Sequence, residues 1–74
     1  MNHPPELGVK QYVAVVANGR GQRFRVFTTG NPKFYLFDPI DEHGCSLCMG
    51  FPVRKSELRR DLRSALAHGW GNSL

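Results

Sequence analysis

The chain has 74 residues, two cysteines and a formal net charge of +4, which leaves room for one domain and one modest core, because so short a chain buries only about 60% of its unfolded surface. A hydrophobic fraction of 41% with five Phe, two Tyr and one Trp excludes wholesale disorder. No run approaches the roughly 18 apolar residues of a membrane helix, and the polar start lacks the basic and then apolar pattern of a secretory leader, so no membrane contact is expected and a reducing cytoplasm is the expected location.

Residues 1–8 hold Asn2-His3-Pro4-Pro5 and read as a mobile arm, with ordered structure starting near Val9. Residues 10–17 (KQYVAVVA) are rich in β-branched and aromatic side chains and run into Asn18-Gly19-Arg20-Gly21. An Asn-Gly pair between two β-prone runs predicts a hairpin, because both residues accept positive φ. The returning strand is expected over residues 22–29, with Phe24, Val26 and Thr28 on one face and Arg23, Arg25 and Phe27 on the other. Gly30-Asn31-Pro32 is the next turn, and residues 33–37 (KFYLF) form a third strand whose two faces are both apolar. Something should therefore lie over each of them.

An acidic loop over residues 38–44 leads to an expected fourth strand at residues 45–51, with Cys45, Leu47, Met49 and Phe51 on one face and Pro52 closing it. The period then becomes helical. Ser56 is the candidate N-cap of a helix over residues 55–68, Leu58, Leu62, Ala65 and Leu66 form its buried stripe, and His68-Gly69 mark its end. Residues 69–74 are a short tail whose Trp70 either folds back or stays exposed. The expected fold is α+β, an antiparallel sheet of three to four strands with one C-terminal helix packed on a face.

Cys45-Ser-Leu-Cys48 spells C-x-x-C, which could mark a thiol redox pair or half of a zinc site. A structural zinc needs four ligands, and the three histidines supply no second paired spacing. In a strand, moreover, Cys45 and Cys48 would point to opposite faces. They are read as small strand residues, and neither a metal nor a cofactor is expected. His3, His43 and His68 each have a bland place in an arm, a loop and a helix end, and no oriented nucleophile and base stand out. Asp38, Asp41 and Glu42 lack the calcium-loop pattern, and Gly19-Arg20-Gly21 lacks the Gly-Lys-Ser/Thr of a phosphate loop. No enzyme is expected.

The charges are sorted along the chain. Residues 18–37 carry Arg20, Arg23, Arg25 and Lys33 without an acid, residues 38–50 carry Asp38, Asp41 and Glu42 without a Lys or Arg, and residues 51–74 set five bases against two acids. Blocks of this kind point to docking surfaces. Two are expected: the hairpin face with Arg20, Arg23, Arg25 and Phe27, and the helix flank with Arg59, Arg60 and Arg63. Arginine interleaved with an aromatic can grip phosphate and stack on bases, or clamp carboxylates on a protein. A protein partner is the first reading and nucleic acid the alternative. A monomer is expected, although a sheet edge could pair with a second copy.

A compact, basic sheet-and-helix protein of this size resembles phage-encoded host-takeover proteins, in particular the small regulators of host RNA polymerase; the resemblance is one of size, charge and overall character. It implies a protein that binds the N-terminal part of the polymerase's largest subunit in the bacterial cytoplasm, inhibits transcription initiation and promotes antitermination.

Overall fold

The computed structural model describes residues 11–70 and 72–73. The expected arm at residues 1–8, with the onset near Val9, lies outside the described residues. Strands β1 (Gln11–Ala17), β2 (Arg23–Thr28), β3 (Phe34–Ile40) and β4 (Phe51–Arg54) form an antiparallel sheet, followed by the helix α1 (Arg60–Ala67). The expected α+β architecture is the observed one. The tail adds a two-residue strand, β5 (Asn72–Ser73), parallel to Val16 and Ala17 of β1, so that the sheet order is β4-β3-β2-β1-β5.

The first hairpin closes by a different turn from the one its Asn-Gly pair predicts. Among residues 18–21 only Gly21 has positive φ, at 81°. Asn18 N–H donates to Gln22 O at 2.9 Å and Gly21 N–H to Asn18 O at 3.1 Å, which makes a three-residue loop with glycine in the left-handed position. The Asn18 side chain holds it: its Oδ1 accepts from Arg20 N–H at 2.9 Å and Gln22 N–H at 3.0 Å, while its Nδ2 donates to Gln22 Oε1 at 2.6 Å. Asn18→Ala removes these acceptors and is expected to lower stability by about 1 kcal/mol, read by chemical denaturation.

One face of the sheet carries the core. Ala14 and Val16 of β1, Val26 of β2 and Tyr35 and Phe37 of β3 are buried there against Leu62 and Leu66 of α1, with Val13, Phe24, Val53 and Leu58 packed at the margin. The alternation in β2 holds, since Val26 is fully buried while Arg23, Arg25 and Phe27 face the other way, opposite Ile40, Asp38 and Leu36 of β3. The apolar second face of β3 is covered without a second layer. Arg54 lies over the Phe34 ring at 5.2 Å, and the chain after Ile40 folds back so that Ser46 bridges to Ile40 and Leu47 N–H donates to Pro39 O at 2.9 Å.

That return corrects two expectations. The third strand continues through Asp38-Pro39 to Ile40. Proline is tolerated because the amide side of residue 39 faces away from β2, beyond the end of β4, where no ladder partner is needed. The expected fourth strand at residues 45–51 is an irregular loop up to Gly50, in which Cys45, Leu47, Cys48 and Met49 are exposed, and β4 instead contains Pro52. Pro52 pairs with Leu36 on the outermost strand, so its missing N–H leaves no gap in the sheet.

The helix also starts later than its apolar period predicts. Lys55 N–H still donates to Lys33 O at 2.9 Å, and the Lys55 ammonium sits 4.5 Å from the Tyr35 ring centroid, so the chain is tied to the sheet where Ser56 would cap a helix. Lys55–Glu57 form a 3-10 turn and Leu58 is extended, with ψ of 149°. Only after this bend does α1 begin, with Arg59 at its N-cap and no side-chain cap bond.

Burial raises the Tyr35 phenol above its ordinary value of 10.0. A raised native value makes the stabilisation complete below pH 10 and loses it as pH climbs through the folded value. Melting temperatures measured from about pH 9 to 11 should fall less steeply for Tyr35→Phe than for the parent chain.

Candidate functional site

The outer face of the sheet, opposite α1, holds a concavity of about 630 Å³. Its apolar wall is Tyr12, Val15 and Phe27, its basic floor is Arg23 and Arg25, and residues 42–44 form a rim. Strict alternation along β1 would place Tyr12 beside Ala14 in the core. The pairing shifts between them, so that Ala14 opposes Val26 on the inner face while Tyr12 opposes Phe27 on the outer one. The extra residue, Val13, re-aims the tyrosine. Its ring meets Phe27 edge to face, with centroids 6.2 Å apart and planes at 74°, and it stays 60% exposed.

Two of the arginines expected to bind a partner also strap the acidic loop. Arg23 Nη2 donates to Asp41 O at 3.1 Å and Arg25 Nη2 to Gly44 O at 2.7 Å. Arg25 Nη2 also lies 3.8 Å from Asp38 Oδ2, whose carboxylate accepts from Ser46 Oγ at 2.8 Å. The loop is shaped to meet them: Asp41 Oδ1 accepts from His43 N–H and Cys45 N–H at 2.8 and 2.9 Å, and Gly44 adopts φ of 83°. The basic and acidic sequence blocks thus meet across the sheet. Part of the donor capacity of Arg23 and Arg25 goes to the fold, and Arg25 Nε is buried with no hydrogen-bond partner among the described residues.

The expected site residues separate into two sets. Arg23, Arg25 and Phe27 come together on the outer face, with Arg20 exposed at the hairpin tip. Arg59, Arg60 and Arg63 belong to the helical layer on the other side of the sheet and are exposed, Arg59 Nε lying 3.2 Å from Asp61 Oδ1. The two arginine groups therefore do not make one continuous surface. Tyr12 was not singled out by sequence reasoning, because residues 12–17 are apolar throughout and no period reveals the shift at Val13. Trp70, left open between two fates, is 63% exposed and stacks on His68 with ring centroids 4.8 Å apart.

Because Cys45 and Cys48 lie in a loop, the opposite-face argument that set them apart no longer applies. Both are free and exposed, and no group of three or more His, Cys, Asp and Glu able to hold a metal occurs among the described residues. His43 is near Glu42, with Nε2 3.7 Å from Oε1. Adding zinc is expected to leave the melting temperature unchanged; a stoichiometric rise would contradict this.

The outer face offers apolar surface, aromatic edges and anchored guanidinium groups, a combination suited to binding. No helix among the described residues is long and apolar enough to cross a membrane. Comparison with protein-family models, curated proteins and solved structures gives no match for this chain.

Proposed function

We propose that the chain is a small non-enzymatic regulator that docks on a protein partner through the outer face of its sheet, and that the partner is bacterial RNA polymerase. The observation that carries the docking reading is the Tyr12 and Phe27 pair, Tyr12 exposed and Phe27 half-buried, beside arginines held in place by the loop. Exposed aromatics next to arginine are the residue types that dominate the energy of protein interfaces. Fixing the guanidinium groups before binding lowers the ordering cost of association. The choice of polymerase, through its largest subunit, follows the resemblance in size and charge to phage regulators of that enzyme, with inhibition of initiation and antitermination as the expected outcomes.

Affinity capture from bacterial lysate, with and without nuclease, tests the proposal. The largest polymerase subunit should be retained in both arms. Capture without any polymerase subunit overturns the choice of partner, and recovery only without nuclease replaces protein docking with nucleic-acid binding.

A further inference from the structure

The outer-face concavity is polarised along the strands. At one end Tyr12 pairs with Phe27, which in turn pairs with Leu36 of β3. Two residues back along β2, Arg25 lies between Val15 and Asp38, and two further back Arg23 lies between Ala17 and Ile40. Aromatic and aliphatic side chains therefore hold one end of the face and guanidinium groups the other. The two basic heads reach the same short stretch of loop, Arg23 Nη2 donating to Asp41 O and Arg25 Nη2 to Gly44 O. Each spends one terminal nitrogen there, out of the five N–H donors of a guanidinium. The carboxylates nearby are Asp38, 15% exposed with Oδ2 3.8 Å from Arg25 Nη2, and Glu42 on the rim, which lies beside His43.

We infer that this face takes an extended acidic segment of its protein partner, with carboxylates on Arg23 and Arg25 and a large apolar side chain on Tyr12 and Phe27. The inference rests on the docking reading of the outer face and not on the choice of polymerase. Alternate residues of an extended chain recur at about 6.6–6.8 Å, and Arg23, Arg25 and Phe27 are themselves alternate residues of β2. A segment lying along that strand matches the repeat when two acids and an apolar residue also alternate. A planar carboxylate meets a guanidinium edge through two parallel bonds. The loop holds both heads in place before the partner arrives, which lowers the ordering cost of binding. Single-stranded nucleic acid fits the face less well. Its phosphates recur at every nucleotide, whereas the arginines occupy one end only, and the Tyr12 and Phe27 rings stand at 74°, so successive bases find no common platform.

Fluorescence anisotropy of a labelled Ser-Glu-Ser-Glu-Ser-Phe-Ser peptide with the purified chain tests this, and amide chemical shifts locate the peptide. Binding is expected at low salt, with the largest shifts at Tyr12, Arg25, Phe27 and Gly44 and little change at Leu62 and Leu66. Changing both peptide glutamates to glutamine should weaken binding about tenfold or more. Moving the phenylalanine between the two glutamates keeps composition and charge but matches the face in neither direction, and should also weaken binding. All these changes are made in the peptide, so the fold of the protein is constant throughout. Absence of binding at millimolar peptide, equal affinity for the glutamine or rearranged peptide, or shifts centred on the helical layer would each overturn the inference. Displacement of the peptide by a lower concentration of a single strand of about twelve nucleotides would overturn it in favour of nucleic acid. A polymerase subunit captured from lysate and lost on Tyr12→Ala, yet not displaced by excess peptide, would keep the docking face and overturn the acidic segment alone.

Discussion

Leu62→Ala is expected to unfold most of the protein at room temperature. Leu62 is 2% exposed and is, with Leu66, one of two fully buried residues through which α1 seals the inner face of the sheet. Truncating a buried leucine to alanine costs about 2–5 kcal/mol, through lost transfer energy and the cavity left behind. A single core in a chain of this length supplies no more than about 3–5 kcal/mol in all. The helix cannot compensate, since eight residues without a side-chain N-cap bond have little stability apart from the sheet. Urea denaturation followed by circular dichroism checks this. Leu58→Ala, at a half-buried position, should lose clearly less, and an unaltered midpoint for Leu62→Ala would mean that the helix does not hold the inner face.

Tyr12→Ala is expected to weaken partner binding about 30-fold, equivalent to about 2 kcal/mol, while moving the melting temperature little. Tyrosine at the centre of a docking face loses both its buried area and its ring contacts on truncation. In the free protein the same side chain is 60% exposed, and its principal ring contact is the edge-to-face pair with Phe27. Binding and stability should therefore separate at this position, which they would not at Val26 or Leu62. Titration of the immobilised polymerase subunit captured from lysate provides the measurement. Binding equal to that of the parent chain would move the docking surface away from the outer face.

The strands of the first hairpin and their alternation were legible because period-two patterning and a Gly- and Asn-containing turn are local signals. The turn itself was misread. The Asn18 side chain caps Arg20 and Gln22 N–H groups, and this shifts the left-handed position to Gly21. Pro52 was read as a strand end because proline removes a donor, yet on an edge strand that donor has no partner to lose. Whether a strand lies at an edge depends on the order of strands in the sheet, which local sequence does not encode. The helical period from Leu58 to Leu66 was real in its second half, but the bond from Lys55 to Lys33 keeps the chain on the sheet for longer than local propensity indicates.

The candidate sites divide in the same way. Arg23, Arg25 and Phe27 share a face because every second residue of a strand must, and that could be read from the sequence. Tyr12 joins them only through the register shift at Val13. Local pattern and composition were enough for the fold class, the first three strands, the Leu62 and Leu66 contacts of the helix and the separation of charge, since each arises from periodicity or from residue content. Only long-range contacts could decide that the basic and acidic blocks would meet and that the two arginine groups would lie on opposite sides of the sheet. Those outcomes depend on strand register and on long-range hydrogen bonds, whose energies are settled only when distant segments come into contact.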